Sequence, residues 1–247
     1  MAKLVYDNKL DDIIYSHTKN INGKEVRNYR TGRKVGLMLF SIKHPEAFII
    51  KSITGIKSYG GNQSWFPKYW ARKAGCGATS AANIMAYLAE TRAEFAKLYE
   101  QKSKSKEDYI RHMEVLFDYV KPGPMGVNHV DKYIKGVNQY VKSKGLYLKT
   151  NLLSVDKETK DNRTKKELAE FSQKAMELDA PIAFLTLSRG SELRLQDWHW
   201  ITITSVQIEE NHIWAIASDE GMERKFDLLL WYLSTGMHGG LIYYEQA

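Results

Sequence analysis

The amino-acid sequence predicts an α+β fold in which helices and strands are segregated along the chain. Helical periodicity dominates the middle of the sequence, from Gly77 to about Leu178. Runs rich in β-branched and aromatic residues follow Pro181. Regular alternation of strands and helices would instead indicate a parallel sheet. We therefore expect a helical part packed against an antiparallel β-sheet.

The first 55 or so residues are predicted to form a β-rich N-terminal extension. The runs KVGLMLFSI and EAFIIKSI are typical of strands, and turn formers occur at 20–23 and around Thr31 to Lys34. The following stretch SYGGNQSWFPKYWARKAG has no clear period and is predicted to be an irregular loop. The chain is accordingly divided into an extension at 1–55 and a main domain at 56–247.

The helical part is predicted from apolar residues that recur three or four positions apart. In the first helix, from Gly77 to about Tyr99, they are Ala78, Ala81, Ala82, Met85, Leu88 and Ala89. Further helices are expected at 106–120 and 128–144, separated by the turn PGPMG. A polar surface loop is expected at 154–166. Thr164 and Glu167 then form a capping box that opens a helix to about Leu178.

Four strands are predicted after Pro181, in the runs IAFLTL, HWITITSV, HIWAIAS and GLIYYE. The polar segments SRGSELRLQD, QIEEN and DEGMERKFD between them are predicted to be turns. If QIEEN is a hairpin turn, the strands on either side run antiparallel and side by side.

The composition limits the kinds of partner and cofactor. The chain has 247 residues and a formal net charge of +7, but its Lys and Arg residues form no basic block, so nucleic-acid binding is not expected. A single cysteine excludes an intramolecular disulfide and multi-cysteine zinc patterns, and neither a metal nor another cofactor is expected.

No apolar run reaches the roughly 20 residues that span a bilayer. A cytoplasmic protein is expected, with a secreted form left open if a signal has been removed. The oligomeric state is not indicated.

Cys76 is the residue most typical of covalent chemistry. Gly75 and Gly77 flank it, and the predicted helix begins at this point. A thiol at a helix N-terminus faces the positive end of the helix dipole and free backbone N–H groups, which favour the nucleophilic thiolate. The alternative is a small buried apolar residue, since free cysteines are often buried.

A cysteine nucleophile needs a base, and His199 is the best candidate because it begins a predicted core strand. The alternative is an inert histidine packed between Trp198 and Trp200. Weaker candidates for the base are His129 and His238.

A third group has to orient the base. Asp219 ends the strand after the predicted hairpin turn, which places it near His199. It could equally be an ordinary turn residue, and Ser218 and Asp197 are alternatives for the orienting group.

Acyl transfer also needs an oxyanion hole. The Cys76 backbone N–H is one donor, and Gln63 or Asn62 from the upstream loop is the candidate for a second. Alternatively, both amides are ordinary polar residues of a loop without a catalytic role. Aromatic residues of the same loop are expected to line a substrate groove or, alternatively, the core: Trp65, Phe66, Tyr69 and Trp70. Gly75 allows another chain to approach the sulfur closely.

Together these residues resemble the papain-like cysteine peptidases, in particular the bacterial peptidase C39-like group. The resemblance covers roughly residues 60–245 in the order and spacing of Cys76, His199 and Asp219. It is specific over about ten residues at each of two sites. His199 lies about 120 residues after Cys76, close to the roughly 130–150 of papain-type enzymes. The resemblance implies a papain-like fold and hydrolysis of a peptide or amide bond through a Cys-His-Asp triad. An acyltransferase or transglutaminase-like enzyme, and an inactive binding module, are alternatives on the same scaffold.

The sequence departs from the family pattern at two places. Tyr69 and Trp70 occupy the region where the family usually has its oxyanion glutamine. The turn SDEG replaces the familiar Asn-Ser-Trp-Gly, and alignment on Gly221 puts Ser218 at the Asn position. These differences leave the third triad residue and the retention of activity open, and residues 1–55 have no clear match.

Overall fold

A computed structural model describes residues 38–246 and the short segments Thr18–Ile21 and Lys24–Arg27. The two segments are strands β1 and β2, which pair antiparallel. The turn residues predicted around Thr31 to Lys34, and two of the four residues of the turn at 20–23, lie outside the described residues.

The main sheet and a small hairpin contain the other strands of the described residues. These strands are β3 (Met38–Ser41), β4 (Ile49–Lys51), β5 (Lys57–Tyr59), β6 (Leu148–Val155), β7 (Ile182–Thr186), β8 (His199–Ile208), β9 (Ile213–Asp219), β10 (Met222–Asp227) and β11 (Gly239–Gln246). The α-helices are α1 (Tyr69–Ala74), α2 (Cys76–Thr91), α3 (Lys106–Tyr119), α4 (Val130–Ser143), α5 (Lys165–Glu177) and α6 (Leu228–Ser234). Short 3₁₀ helices lie at Pro45–Phe48, Gln63–Trp65, Ala93–Leu98 and Lys157–Asn162.

The main sheet has seven strands within the described ranges. Six follow the order β10-β9-β8-β7-β11-β6, the seventh, β3, pairs with β8, and all the pairs are antiparallel. Strand β8 is central. It pairs with β9 on one side, and on the other with β7 over its first half and β3 over its second half. This confirms the α+β class with an antiparallel sheet.

Helix α2 packs against β8 and against α3. Its residues are buried from Gly77 to Leu88 because the small side chains of its alanines allow a close approach to the sheet. The Ser80 hydroxyl contacts β8 directly, since it is 3.2 Å from the Ile201 carbonyl oxygen and 3.1 Å from Thr202 Oγ1. The start of α2 is thereby fixed beside the sheet.

Most of the predicted elements are present. Helices α3 and α4 and strands β7, β8, β9 and β11 match their predicted runs. Thr164 caps α5 and accepts a hydrogen bond from the Glu167 backbone N–H at 3.2 Å, which is one of the two bonds of a capping box. The Glu167 carboxylate accepts from the Tyr232 hydroxyl at 2.5 Å. The segment QIEEN joins β8 to β9 in an antiparallel pair.

Other segments differ from their predictions. The helix expected to reach Tyr99 ends at Thr91 and is followed by a 3₁₀ helix. DEGMERKFD, predicted to be a turn, contains β10, whose charged residues are accommodated because it is an edge strand. The loop expected at 154–166 begins with the end of β6 and contains a 3₁₀ helix.

The irregular loop expected at 58–75 contains the 3₁₀ helix Gln63–Trp65 and α1. The run EAFIIKSI gives a 3₁₀ helix and the short β4 instead of one strand. Strand β4 pairs with β5 across position 55, and β3 belongs to the main sheet. The division of the chain at residue 55 stays a prediction. Among the described residues, no helix combines the length and the apolar character needed to cross a membrane.

Candidate active site

Cys76 is the first residue of α2, and Gly75 joins this helix to α1. Gly75 is buried, and a Cβ there would lie 2.4 Å from the Ala71 carbonyl oxygen and 2.5 Å from the Phe66 ring. Its carbonyl accepts hydrogen bonds from Thr79, from both the backbone N–H and the hydroxyl, each at 2.9 Å. Only glycine fits this tight junction, which leaves the thiol half-buried at the helix start.

His199 begins β8, and its ring lies between Cys76 and Asp219. Its Nε2 is 2.7 Å from Asp219 Oδ1, and both side chains are buried. Cys76 lines the same narrow cavity as His199 and interacts electrostatically with its ring. Because Nε2 is engaged by Asp219, Nδ1 is the ring nitrogen left for the sulfur. The structure thus brings together the three residues predicted as nucleophile, base and orienting group.

The electrostatics of this arrangement favour a charged imidazole. Burial lowers the pKa of His199, but its hydrogen bond with Asp219 and its electrostatic interactions with Cys76 and Asp219 raise it more, to about 10. An imidazolium between a carboxylate and a sulfur is the form that accompanies a thiolate.

The tryptophans beside His199 occupy different environments. Trp198 is exposed and has a φ of 57°, an unfavourable backbone conformation for a large side chain. Trp200 is buried, stacks on Tyr133 with ring centroids 4.2 Å apart, and donates from Nε1 to the Val127 carbonyl at 2.6 Å. The ring of His199 is therefore directed at polar partners instead of being packed between two indoles.

The alternatives for the third residue are engaged elsewhere. The Ser218 hydroxyl donates to the Tyr59 carbonyl at 2.6 Å and accepts from Asn83 Nδ2 at 3.2 Å. Asp197 Oδ1 accepts from the Arg189 backbone N–H at 2.6 Å, within the loop before β8. Only Asp219 of the three candidates contacts the base.

Two residues near the site were missed by the sequence reasoning. Arg224 on β10 places its Nε 2.9 Å from Asp219 Oδ2. Asn83 on α2 is buried and hydrogen-bonds to Ser218 and to Thr202. MERKFD has three consecutive charged residues and no apolar alternation, so nothing in the local sequence distinguishes Arg224 or Asn83.

Gln63 lies in the same narrow cavity as Cys76 and His199. Its Oε1 is buried and has no hydrogen-bond partner among the described residues. Asn62 is different, because its Oδ1 accepts from the Ser64 backbone N–H at 2.8 Å and its Nδ2 donates to the Glu220 carbonyl at 2.6 Å. Of the two amides, only Gln63 is available to a ligand.

The predicted groove aromatics divide into two sets. Tyr69 and Trp70 are exposed on α1, the short helix that leads to Cys76. Trp65 is half-buried with the Lys106 ammonium 5.0 Å from its ring centroid, and Phe66 is buried in the core. The substrate-binding roles of Trp65, Tyr69, Trp70 and Gly75 stay predictions. Of the aromatic residues, only Tyr69 and Trp70 have the exposure that such a role requires.

The other candidate bases form a separate cluster. His129 caps α4 and stacks on His238 with ring centroids 4.0 Å apart. His238 Nδ1 is 2.6 Å from Asp156 Oδ1. Neither histidine lines the cavity of Cys76. In the described ranges, no group of three or more His, Cys, Asp or Glu side chains is arranged to hold a metal ion.

Comparison with known proteins gives little further information. No family model matches the sequence, and no curated protein matches it. The chain is similar to the crystal structure of the Pseudomonas avirulence protein AvrPphB, with a TM-score of 0.33 and 9% sequence identity, over 70% of this chain and 92% of that chain. This degree of similarity is too low to assign a function, so the chemistry has to be argued from the residues of the site.

Proposed function

We propose that this protein is a papain-like thiol hydrolase that cleaves a peptide or amide bond through Cys76, His199 and Asp219. The observation that carries the proposal is the position of the His199 ring. Its Nε2 lies 2.7 Å from Asp219 Oδ1, and it lines the same narrow cavity as the thiol of Cys76, the first residue of a helix.

The chemistry follows from these contacts. The Cys76 thiolate attacks the substrate carbonyl carbon and forms a C–S bond, while the carbonyl electron pair moves to oxygen. The tetrahedral intermediate collapses, the C–N bond breaks, and the His199 imidazolium gives its proton to the leaving amine. Water then attacks the acyl-enzyme, gives a proton to the imidazole, and the thiolate leaves with release of a carboxylic acid.

Asp219 orients the base in this scheme. The His199 Nε2–H donates to Asp219 Oδ1, which keeps Nδ1 directed at the sulfur and stabilises the imidazolium. Since both side chains are about 6% exposed, solvent screens this interaction weakly.

The oxyanion formed in the first step requires donors. The Cys76 backbone N–H at the start of α2 is one of them, because the first N–H groups of a helix have no intrahelical acceptor. Gln63 supplies the second: a half-turn of its amide replaces the unpaired Oε1 with the amide NH₂ group.

Alkylation with iodoacetamide across pH tests the proposal, and the single cysteine makes the modified position unambiguous. We expect the wild-type profile to have its midpoint well below about 8.5, the value of a free thiol. H199Q should move the midpoint towards that value, and H129Q, at a histidine outside the cavity, should leave it unchanged. A wild-type midpoint near 8.5 that H199Q does not move would contradict the proposal. Products formed from peptide substrates with and without an added amine then separate hydrolysis from acyl transfer.

A further inference from the structure

The carboxylate of Asp219 has two charged neighbours, one at each oxygen. Its Oδ1 is 2.7 Å from His199 Nε2. Its Oδ2 is 2.9 Å from Arg224 Nε, in an ion pair whose Nε–H is not directed at the oxygen as a hydrogen bond requires. The carboxylate is about 6% exposed, whereas the Arg224 side chain is 40% exposed and extends from the protein surface to this buried group. The catalytic scheme above uses Oδ1 only, and so leaves the second contact without a role.

The backbone of the β9–β10 hairpin brings the arginine to this position. Asp219 pairs with Met222, and Ala217 pairs with Arg224. The two residues between the strands have left-handed φ values, 49° at Glu220 and 79° at Gly221, as a two-residue hairpin turn requires. Arg224 consequently lies on the neighbouring strand, two residues beyond the partner of Asp219.

Few charged or titratable groups surround this carboxylate. His199 faces it from β8, and Cys76 lies beyond the ring at the start of α2. Arg224 faces it from β10, and Glu220 adjoins it in the turn. On β5, Tyr59 bonds to Thr204 instead, and burial raises the pKa of its phenol to about 12, so it stays neutral. Arg224 is therefore the permanent positive charge in contact with Asp219.

We propose that Arg224 is a positioning residue for the reaction: its guanidinium holds Asp219 Oδ2 so that Oδ1 stays directed at His199. The inference rests on the proposed function, because it assigns Arg224 to the orientation of the base. A positive charge 2.9 Å from one oxygen favours the orientation of the carboxylate that keeps this contact and stabilises its ionised form, which a neutral side chain does not. When the guanidinium is removed, the carboxylate can turn away from the ring, and the ionised state of the Cys76–His199–Asp219 unit is less favoured.

The experiment compares the pH profile of iodoacetamide alkylation in wild type, R224Q, R224K and K225Q. K225Q removes one positive charge from the next position of the same strand, where the side chain is exposed. An opposite charge in direct contact lowers the pKa of a carboxyl group by about 1–3, and the partial exposure of Arg224 makes this effect smaller. We expect R224Q to raise the midpoint of the alkylation profile by about 0.5–1 pH unit. At pH values below this midpoint, alkylation should then be about three- to tenfold slower than in wild type. R224K should recover only about half of the shift, because it restores the charge on a more flexible and more strongly hydrated side chain, and K225Q should superimpose on wild type.

Two outcomes are distinguished by the wild-type profile. If its midpoint lies well below that of a free thiol and R224Q superimposes on it, the role of Arg224 is overturned while the proposed function stands. If the wild-type midpoint is itself that of a free thiol, both proposals are overturned. Thermal unfolding of each variant verifies the fold. If R224Q unfolds, R224K decides alone: a midpoint between those of wild type and H199Q supports the role, and one equal to wild type overturns it.

Discussion

Asn83 is a buried amide on α2 that joins three parts of the structure around the candidate site. Its Oδ1 accepts from the Gly61 backbone N–H at 2.8 Å and from the Tyr109 hydroxyl at 2.7 Å. Its Nδ2 donates to Thr202 at 3.3 Å and to Ser218 at 3.2 Å. We expect N83A to be strongly destabilising, because the methyl group of alanine can make none of these hydrogen bonds.

The magnitude follows from the partners that remain. Thr202 keeps its contact with Ser80, and the Ser218 hydroxyl keeps the Tyr59 carbonyl. The Gly61 N–H and the Tyr109 hydroxyl are buried and lose their acceptor. Each buried polar group without a partner costs about 1–3 kcal/mol, so the variant should lose roughly 2–6 kcal/mol of unfolding free energy. For a chain of this size that is a fall of about 10 °C in Tm.

Urea and thermal unfolding measure this loss. N138A is the matched control, since Asn138 is exposed on α4 and alanine favours a helix there. Y109F should lie between the two variants, because it removes one donor and leaves Asn83 Oδ1 bonded to Gly61. An N83A variant within about 0.5 kcal/mol of N138A, the range of ordinary surface substitutions, would refute the reasoning.

Two further predictions concern the same region. G60A should destabilise the fold more than G55A. Both glycines have positive φ values, 76° at Gly60 and 80° at Gly55, so the backbone strain is similar. A Cβ at Gly60 would lie 2.1 Å from Ser218 Oγ, whereas Gly55 has open space around it. Urea unfolding compares the two, and equal losses would contradict the steric argument. The second prediction concerns pH: since the pKa of His199 is raised from 6.5 to about 10, its stabilising contribution is complete below pH 6.5 and is lost as the pH rises towards 10. In the C76S background no thiol titrates, and the contribution of Asp219 remains while that of Cys76 is removed, so Tm should fall above pH 6.5 over a narrower interval than in wild type. Parallel Tm curves for C76S and C76S/H199Q would contradict the expectation.

The parts of the fold that could be predicted from the sequence are those with a local signal. The alanine spacing of α2 and the capping box of α5 each lie within a few residues. Strands β8 and β9 are buried and rich in β-branched residues, so their type is clear from composition. Their antiparallel pairing followed from the short turn between them, whereas the register shift between Ile203 and Ser205 has no local signal.

The elements that were missed owe their structure to contacts distant in the sequence. Strand β10 carries charged residues because one of its edges is unpaired in the main sheet, and β6 is similarly half-exposed at the opposite edge. Helix α6 has a continuous apolar run, LLLWYLS, whose length does not distinguish a helix from a strand. Its start is set by Asp227, whose Oδ1 accepts from the backbone N–H groups of Leu229 and Leu230, each at 3.1 Å.

The same distinction applies to the candidate site. Cys76 and His199 begin regular elements, so their positions could be inferred from local pattern alone. Arg224 and Asn83 are ordinary polar residues in sequence, and their contacts exist only after β10 and α2 have packed. Gln63 lies between these cases, because its loop is close to Cys76 in sequence but its place in the cavity depends on the fold.

The choice between Ser218 and Asp219 shows why alignment on a turn glycine is unreliable here. Alignment on Gly221 placed Ser218 at the Asn position of the family pattern. The β9–β10 hairpin closes through two residues, with Asp219 paired to Met222. Successive side chains of a strand point to opposite faces, so when Asp219 contacts His199, Ser218 is directed away, towards Asn83. The strand geometry and not the alignment therefore decides that a carboxylate contacts the base.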